Sequence, residues 1–266
     1  MTAFAANSLL CRMALRNTAI DPASFTSIRI ASGAVVLWMI ARLRGSTMTS
    51  AGSWGSAMAL FAYAAAFSFA YVELPAAVGA LVLFGAVQVT MIGYGLSKGE
   101  RIGGGQAVGL VLAIAGLVSL LSPGLSAPPP VSAALMLAAG IAWGIYSLRG
   151  KGAGEPTIAT AGNFMRAVPF AVILSLVTLG NARFDMAGVL YAIASGGLAS
   201  GVGYAIWYSA LPGLTATKAA TIQLSVPVVA AVGGVMLLGE SITLRLVFSS
   251  AAILGGIALV VAAKRR

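Results

Sequence analysis

The sequence contains no histidine, a single cysteine and very little charge. Of its 266 residues only 8% are charged, with 16 Lys or Arg against 6 Asp or Glu. Each shortage excludes a class of chemistry. Without histidine the chain lacks the commonest general base and metal ligand, and Ser-His or Cys-His nucleophile systems cannot form. The lone Cys11 rules out an internal disulfide and a Cys-rich metal site. No catalytic residue, cofactor or metal is therefore expected. A membrane enzyme acting on lipid would also need clustered acids, and Asp21, Glu73, Glu100, Glu155, Asp185 and Glu240 are scattered along the chain. Soluble domains carry about 25% charged residues, so this chain cannot cover itself with a water-facing surface.

What the chain has instead is apolar length: 59% of its residues are hydrophobic. No charge occurs from Gly45 to Val72, Leu74 to Ser97, Ile102 to Leu148, Met186 to Thr217 or Ala219 to Gly239. About 20 apolar residues as helix cross a bilayer core. The prolines Pro123 and Pro128 to Pro130 divide the longest run into two. Ten spans follow, near 1–17, 22–43, 52–72, 74–97, 103–121, 131–148, 156–180, 186–210, 213–238 and 243–263. The first is short and contains Asn7 and Arg12, so either it is tilted and partly buried or the chain starts late. No basic stretch precedes it, so no cleavable signal peptide is expected. The 33 glycines would weaken helices in water, whereas in lipid small residues let helices approach closely.

The chain also repeats itself. Arg29 stands 46 residues before Pro75, and Arg166 stands 46 residues before Pro212. Gly99-Glu100 closes the first unit as Gly239-Glu240 closes the second. The units are read as 1–122 and 131–266, joined by a linker at 123–130. Five helices per unit is an odd number, so the second inserts upside down, the inverted-repeat geometry of secondary transporters. The basic residues orient the whole. With the N-terminus inside, Arg42, Arg44, Lys98, Arg101, Arg149, Lys151, Lys264, Arg265 and Arg266 lie on the inner side, against Arg16, Arg183 and Arg245 outside. A multi-pass protein of the inner (plasma) membrane with both termini cytoplasmic is expected. The net charge of +10 belongs to those loops and does not imply nucleic acid. The oligomeric state is open, a monomer included.

Four cations fall within spans: Arg12, Arg29, Arg166 and Lys218. Such charges face a cavity or a partner, or they snorkel to an interface. For Arg29 and Arg166 the readings are a helix-end or carbonyl-tying role, or a cationic rim to a substrate cavity. Arg12 is read as structural, brought to an interface by a tilted first helix, and Lys218 as cavity-facing or snorkelling. All six acids map to loops or helix ends. An antiporter exchanging protons for cations through a mid-membrane acid is thus disfavoured, and a carboxylate-bearing or zwitterionic substrate is favoured. Gln88, Thr90, Tyr94, Trp143, Tyr146, Asn163, Tyr204, Trp207, Tyr208 and Gln223 are candidate cavity walls, with interhelical hydrogen bonding the competing role for the amides. Trp38, Trp54 and Tyr71 read as interface anchors.

These residues carry a resemblance. Ala6-Asn7-Ser8 through Arg12 and Leu15, followed by Asp21-Pro22 and Phe25 to Arg29, resembles the opening of EamA-type proteins of the drug/metabolite transporter superfamily. Leu211-Pro212 through Ser225-Val226-Pro227 to Leu238-Gly239-Glu240 is similar too. The likeness covers essentially the whole chain. Two departures stand out: no Trp-Gly precedes Asn7, and Gly85-Ala86-Val87 stands where the first half would match Pro227. The resemblance implies ten helices with both termini inside, a central cavity lined by helices one to four and six to nine, and metabolite export.

The expected function is a secondary transporter, an exporter of a small polar metabolite such as an amino acid or related carboxylate, working by alternating access. Arg29 and Arg166 would attract or orient the anion, with Lys218 a further candidate substrate contact. Gln88, Asn163 and Gln223 would hydrogen-bond the substrate, and Trp143, Tyr204 and Trp207 would enclose it. The alternative is a multidrug exporter of aromatic or cationic compounds.

Overall fold

The computed structural model describes residues 1–44, 52–99, 103–124, 127–150, 155–210, 223 and 225–263. Among them there are helices and no strand. The long ones are α1 (Thr2–Asn17), α2 (Pro22–Leu43), α3 (Trp54–Tyr71), α4 (Ala76–Ser97), α5 (Gly104–Leu121), α6 (Pro130–Gly150) and α7 (Pro156–Val177). A rod follows, made of α8 (Met186–Ile193), a π-helical stretch Ala194–Val202 and α9 (Gly203–Ala210). Then come α10 (Ser225–Leu238) and α11 (Leu244–Ala263). Among the described residues, 7 helices are long and apolar enough to cross a membrane, the α8–α9 rod counted as one.

Local chemistry sets the ends. Asp21 and Asp185 accept from backbone amides at the starts of α2 and α8, and Ser53 does so for α3. Pro22 and Pro156 occupy first-turn positions, where the missing N–H costs nothing. Gly99 and Gly239, which follow α4 and α10, have φ of 87° and 62°, a left-handed turn that suits glycine.

Interhelical contacts fix the relative directions. Ser56 lies by Arg149, Tyr63 by Trp143 and Glu73 by Ser132, so α3 and α6 run antiparallel. Gly140 meets Leu83 and Ala86, and Gly144 meets Thr90, so α4 runs with α6. Leu9 meets Gly233 and Arg16 meets Leu238, so α1 runs with α10. Helices α2 and α7 cross antiparallel, Ser27 bonding Ser175 and Gly33 meeting Phe164. Helices α5 and α11 pack on each other at the margin, antiparallel, where a Cβ on Gly109 would sit 2.5 Å from Gly256 O and the reverse also holds. Their far faces, with Val108, Val111 and Phe248, are exposed.

Helix α1 turns its polar residues inward: Asn7 is 2% exposed, Ser8 1% and Arg12 9%. The expected interface position of Arg12 is therefore replaced by burial. Its Nη1 donates to Tyr71 O at 2.9 Å and Val72 O at 2.7 Å, at the end of α3. Its Nε lies 3.5 Å from Glu240. The Glu240 carboxylate also accepts the first amide of α4, Ala76 N, at 2.8 and 3.0 Å. Tyr71, expected as an interface anchor, is wholly buried beneath this knot and packs edge-on against Phe67 at 4.6 Å. Trp38 and Trp54 do lie on the surface, 41% and 59% exposed.

Two aspartates clip the loops on either side of this end. Asp21 accepts from Ala23 N and Ser24 N at 3.0 Å and from Arg183 N at 2.9 Å. Asp185 accepts from Ala19 N and Gly188 N. Partial burial works against the Asp21 charge, but its hydrogen bonds from Ser24, Arg183 and Ala23 outweigh that and hold the carboxyl below its usual 3.8. Hydrogen bonds from Gly188 and Ala19 lower Asp185 likewise. A depressed carboxyl stabilises the fold above its unfolded pKa and loses that contribution as pH falls through the folded value. Asp21→Ala should therefore lower stability by about 1 kcal/mol at pH 7, read as a drop in melting temperature in detergent. The difference from the parent should shrink below about pH 3.5, since model carboxylates titrate near there.

Candidate functional site

The centre of the bundle is built around the π-helical stretch of the rod. A π turn widens the helix, so side chains five apart share a face. Ser195 and Ser200 both donate to Asn7 Oδ1, at 2.8 and 3.2 Å, and Asn7 Nδ2 is buried without a hydrogen-bond partner. Gly196 lets α2 approach: a Cβ there would stand 2.0 Å from Arg29 O. Any side chain at that position would push α2, and Arg29 with it, out of place.

Arg29 is 2% exposed. Its Nη2 donates to Tyr63 OH at 3.0 Å, and its guanidinium carbon lies 5.2 Å from the Tyr63 ring centre and 4.8 Å from that of Phe67. Its Nη1 is buried with no hydrogen-bond partner. The ion pairs among the described residues are Arg12–Glu240 and Arg44–Glu155, and neither reaches Arg29. Among the described residues, then, this cation is held against aromatic faces with one donor to spare and no carboxylate beside it.

An aromatic chamber adjoins it. Phe4, Tyr63, Phe67, Phe84 and Trp143 line a small cavity with Ser8, Leu83 and Gln223, about 10 Å³ in volume. That is room for about one water. Tyr204 closes the wall behind, 5.3 Å from Trp143 and 5.5 Å from Phe4, while Trp207 meets Phe4 at 6.0 Å.

The residues expected at the site divide in space. Trp143 and Gln223 line this chamber, whereas Arg29, Tyr204 and Trp207 pack behind it against residues that do. Gln88 is buried on α4 but does not line it. Asn163 is buried too, and lines a second cavity near Arg149 of about 200 Å³. Arg166 is half-buried, and its Nη1 donates to Gly162 O at 3.2 Å, one turn back. Lys218 and the side chain of Tyr208 lie outside the described residues. Sequence reasoning passed over Tyr63, Phe67, Phe4 and the Asn7–Ser195–Ser200 trio. The signal for the trio was the Ser-x-x-x-x-Ser spacing within a glycine-rich stretch; the aromatics had none beyond hydrophobicity.

A bundle of apolar helices, 7 of them long enough to cross a bilayer among the described residues, with a small aromatic chamber and a buried arginine beside it, has the character of a multi-pass membrane protein. Residues 131–262 match the EamA-like transporter family. The uncharacterized protein PA1977 of Pseudomonas aeruginosa is 57% identical over 263 residues, 98% of this chain and 92% of that protein. The threonine/homoserine exporter RhtA of Salmonella typhimurium is 32% identical over 139 residues, 50% of this chain and 47% of the exporter. A solved crystal structure superposes at a TM-score of 0.72 and 19% identity, covering 100% of this chain and 96% of that one. The chain belongs to the EamA-like transporter family. It is a membrane transporter rather than an enzyme.

The knot at Glu240 ties α1 to the end of α3 and the start of α4. Removing one partner of a buried charged hydrogen bond costs about 1.5–3 kcal/mol. Glu240→Gln should lower the melting temperature in detergent, and adding Arg12→Gln should cost less than the sum of the two single changes. Strict additivity would mean that the two side chains do not act together.

Proposed function

We propose that this transporter moves a small polar metabolite bearing a carboxylate, an amino acid or close relative, out of the cell across the inner membrane by alternating access. The single observation that carries the reading is Arg29: buried, braced by Tyr63 and Phe67, with Nη1 unpartnered. An unpaired charge is costly in lipid, so the site is complete only with an anion in it. The chamber, room for about one water as it stands, has to widen during the transport cycle; Gln223 and Ser8 then supply polar contacts to the rest of the solute, and Phe4, Trp143 and Tyr204 cover its apolar part. The likeness to a threonine/homoserine exporter over half the chain supports an amino-acid substrate.

Ten spans in two inverted units serve this mechanism, with both termini cytoplasmic. The helix neighbours support it. Arg29 to Arg166 and Pro75 to Pro212 are both separations of 137 residues. Exchanging each helix for its counterpart carries the α3–α6 contact into that of the α8–α9 rod with α1, and α4–α6 into α10–α1. The pairs α2–α7, α5–α11 and α4–α10 map onto themselves. A scaffold of this kind has two related arrangements of similar energy, which is what rocking between inward- and outward-open states requires.

A second reading rests on the same chamber: aromatic faces also hold cations, which would make this a multidrug exporter. Counterflow in proteoliposomes separates the two. Vesicles loaded in turn with amino acids, other carboxylates and quaternary amines should show saturable exchange of a carboxylate. Arg29→Gln should reduce that exchange at least tenfold while leaving a monodisperse, folded protein. Exchange of quaternary amines alone, undiminished by Arg29→Gln, would hand the site to cations and leave Arg29 a structural role.

A further inference from the structure

The second cavity has a chemistry of its own. It lies among α3, α6 and α7 and is lined by Ser53, Ser56, Tyr146, Arg149, Thr160 and Asn163, with Gly52, Gly150, Pro156 and Ala159. At about 200 Å³ it is far roomier than the aromatic chamber. Ser56, Tyr146, Thr160 and Asn163 are buried, between 3% and 7% exposed. They are held in place: Asn163 Oδ1 accepts Ser53 N at 2.8 Å, and its Nδ2 faces Tyr146 OH at 3.4 Å. Arg149 is exposed and spends its Nε on Ser56 Oγ at 3.2 Å. Neither ion pair among the described residues involves it.

The nearby acid does not neutralise it. Glu155 stands one residue before Pro156, and its carboxylate lies 3.8 Å from Arg44, which also reaches Thr157 Oγ1 at 3.4 Å. The cavity also faces the N-terminal end of α7, whose dipole is positive. Arg149 follows Arg12 by the same 137 residues that separate Arg29 and Arg166. Arg12 is consumed by two carbonyls and Glu240, whereas Arg149 faces open volume. One aromatic pair links the cavity with the chamber: Trp143 lines the chamber, Tyr146 the cavity, and their rings lie 5.4 Å apart.

We propose that this cavity is a second, separate binding site that takes the carboxylate of the transported solute on Arg149, with Ser56, Thr160 and Asn163 around the rest, at a step distinct from its stay beside Arg29. The identity of the solute rests on the carboxylate reading of the chamber. The geometry gives the solute a cationic stop at the Arg149 end of the bundle before or after the Trp143–Tyr146 constriction.

The test is a labelling experiment that needs no transport. A single thiol is placed on the cavity wall as Ala159→Cys in a Cys11→Ser background. In detergent its reaction rates with sulfonatoethyl and trimethylammonioethyl methanethiosulfonate are compared, each normalised to a free thiol in solution. The anionic reagent should be favoured about tenfold. Arg149→Gln should bring the ratio near one, and Arg149→Lys should restore part of it. Millimolar L-threonine or acetate should slow anionic labelling of the parent. A ratio near one in the parent, or one that survives Arg149→Gln, overturns the proposal. So does protection by phosphatidylglycerol without protection by L-threonine or acetate, which would assign Arg149 to a lipid headgroup. Labelling that fails beside intact carboxylate counterflow removes this site alone; failed counterflow beside arginine-dependent labelling removes the central reading and leaves the anion site standing.

Discussion

A guanidinium held in the middle of an apolar bundle, with no described carboxylate to balance it, constrains everything packed around it. Arg29 can stay there because two aromatic faces and a phenol take up part of its charge. Those groups must then be fixed. Tyr63 and Phe67 sit on α3, which α6 braces through Trp143 and α1 anchors through Arg12 on its last carbonyls. The backbone carrying Arg29 is in turn clamped by the glycine at the π stretch of the rod. Solute affinity and helix packing are thus one problem: the arginine is positioned by contacts from four other helical segments, so a rearrangement of the halves must alter its surroundings.

The fold handles its polar groups by depth. At one end Arg12 donates to two carbonyls and pairs with Glu240, which accepts the first amide of α4, with Glu73 bonded to Ser132 nearby. Midway down, the polarity is concentrated in Asn7, Ser195, Ser200 and Arg29, and each of Asn7 and Arg29 keeps one unpartnered nitrogen. At the other end the groups stand apart around open volume. A membrane interior tolerates unsatisfied donors poorly, so under the proposed function the mid-depth nitrogens are where a bound solute would do most for the protein. The sealed end contributes rigidity. The roomy end contributes access.

Much of this was legible in the chain. Uncharged runs located the helices because a bilayer demands continuous apolar length, and α2, α4, α5, α7 and α11 begin and end within a few residues of the expected bounds. Arg29 stood out because charge in lipid is rare. What could not be read was rotation. Periodicity is nearly silent when lipid-facing and protein-facing sides are equally apolar, so nothing separated Tyr71, wholly buried, from Trp54, well exposed. Hydrogen bonding was also hidden. Arg12 looked like an interface residue until α3 supplied two carbonyls to it, and the π stretch that brings Ser195 and Ser200 onto Asn7 left only a spacing. Asn163 was grouped with Arg29 on polarity, yet it faces a different cavity.

The proposed duplication makes the differences between counterpart residues informative. Arg12 and Arg149 stand 137 residues apart, as do Arg29 and Arg166. In each pair one member is buried and tightly enclosed, and the other is more exposed. Both enclosed arginines belong to the first unit. If the two units are related as proposed, a scaffold that treats its paired cations unequally is in one of two related states, because each environment is available in principle to either unit. Changing state would then exchange the environments, loosening Arg12 from Glu240 while drawing Arg149 inward. A transported anion interacts differently with an enclosed and an open guanidinium, and only such a difference lets a ligand shift the balance between two arrangements. On the proposed mechanism, the unequal arginines would supply the coupling that a carrier needs between binding a solute and moving its halves.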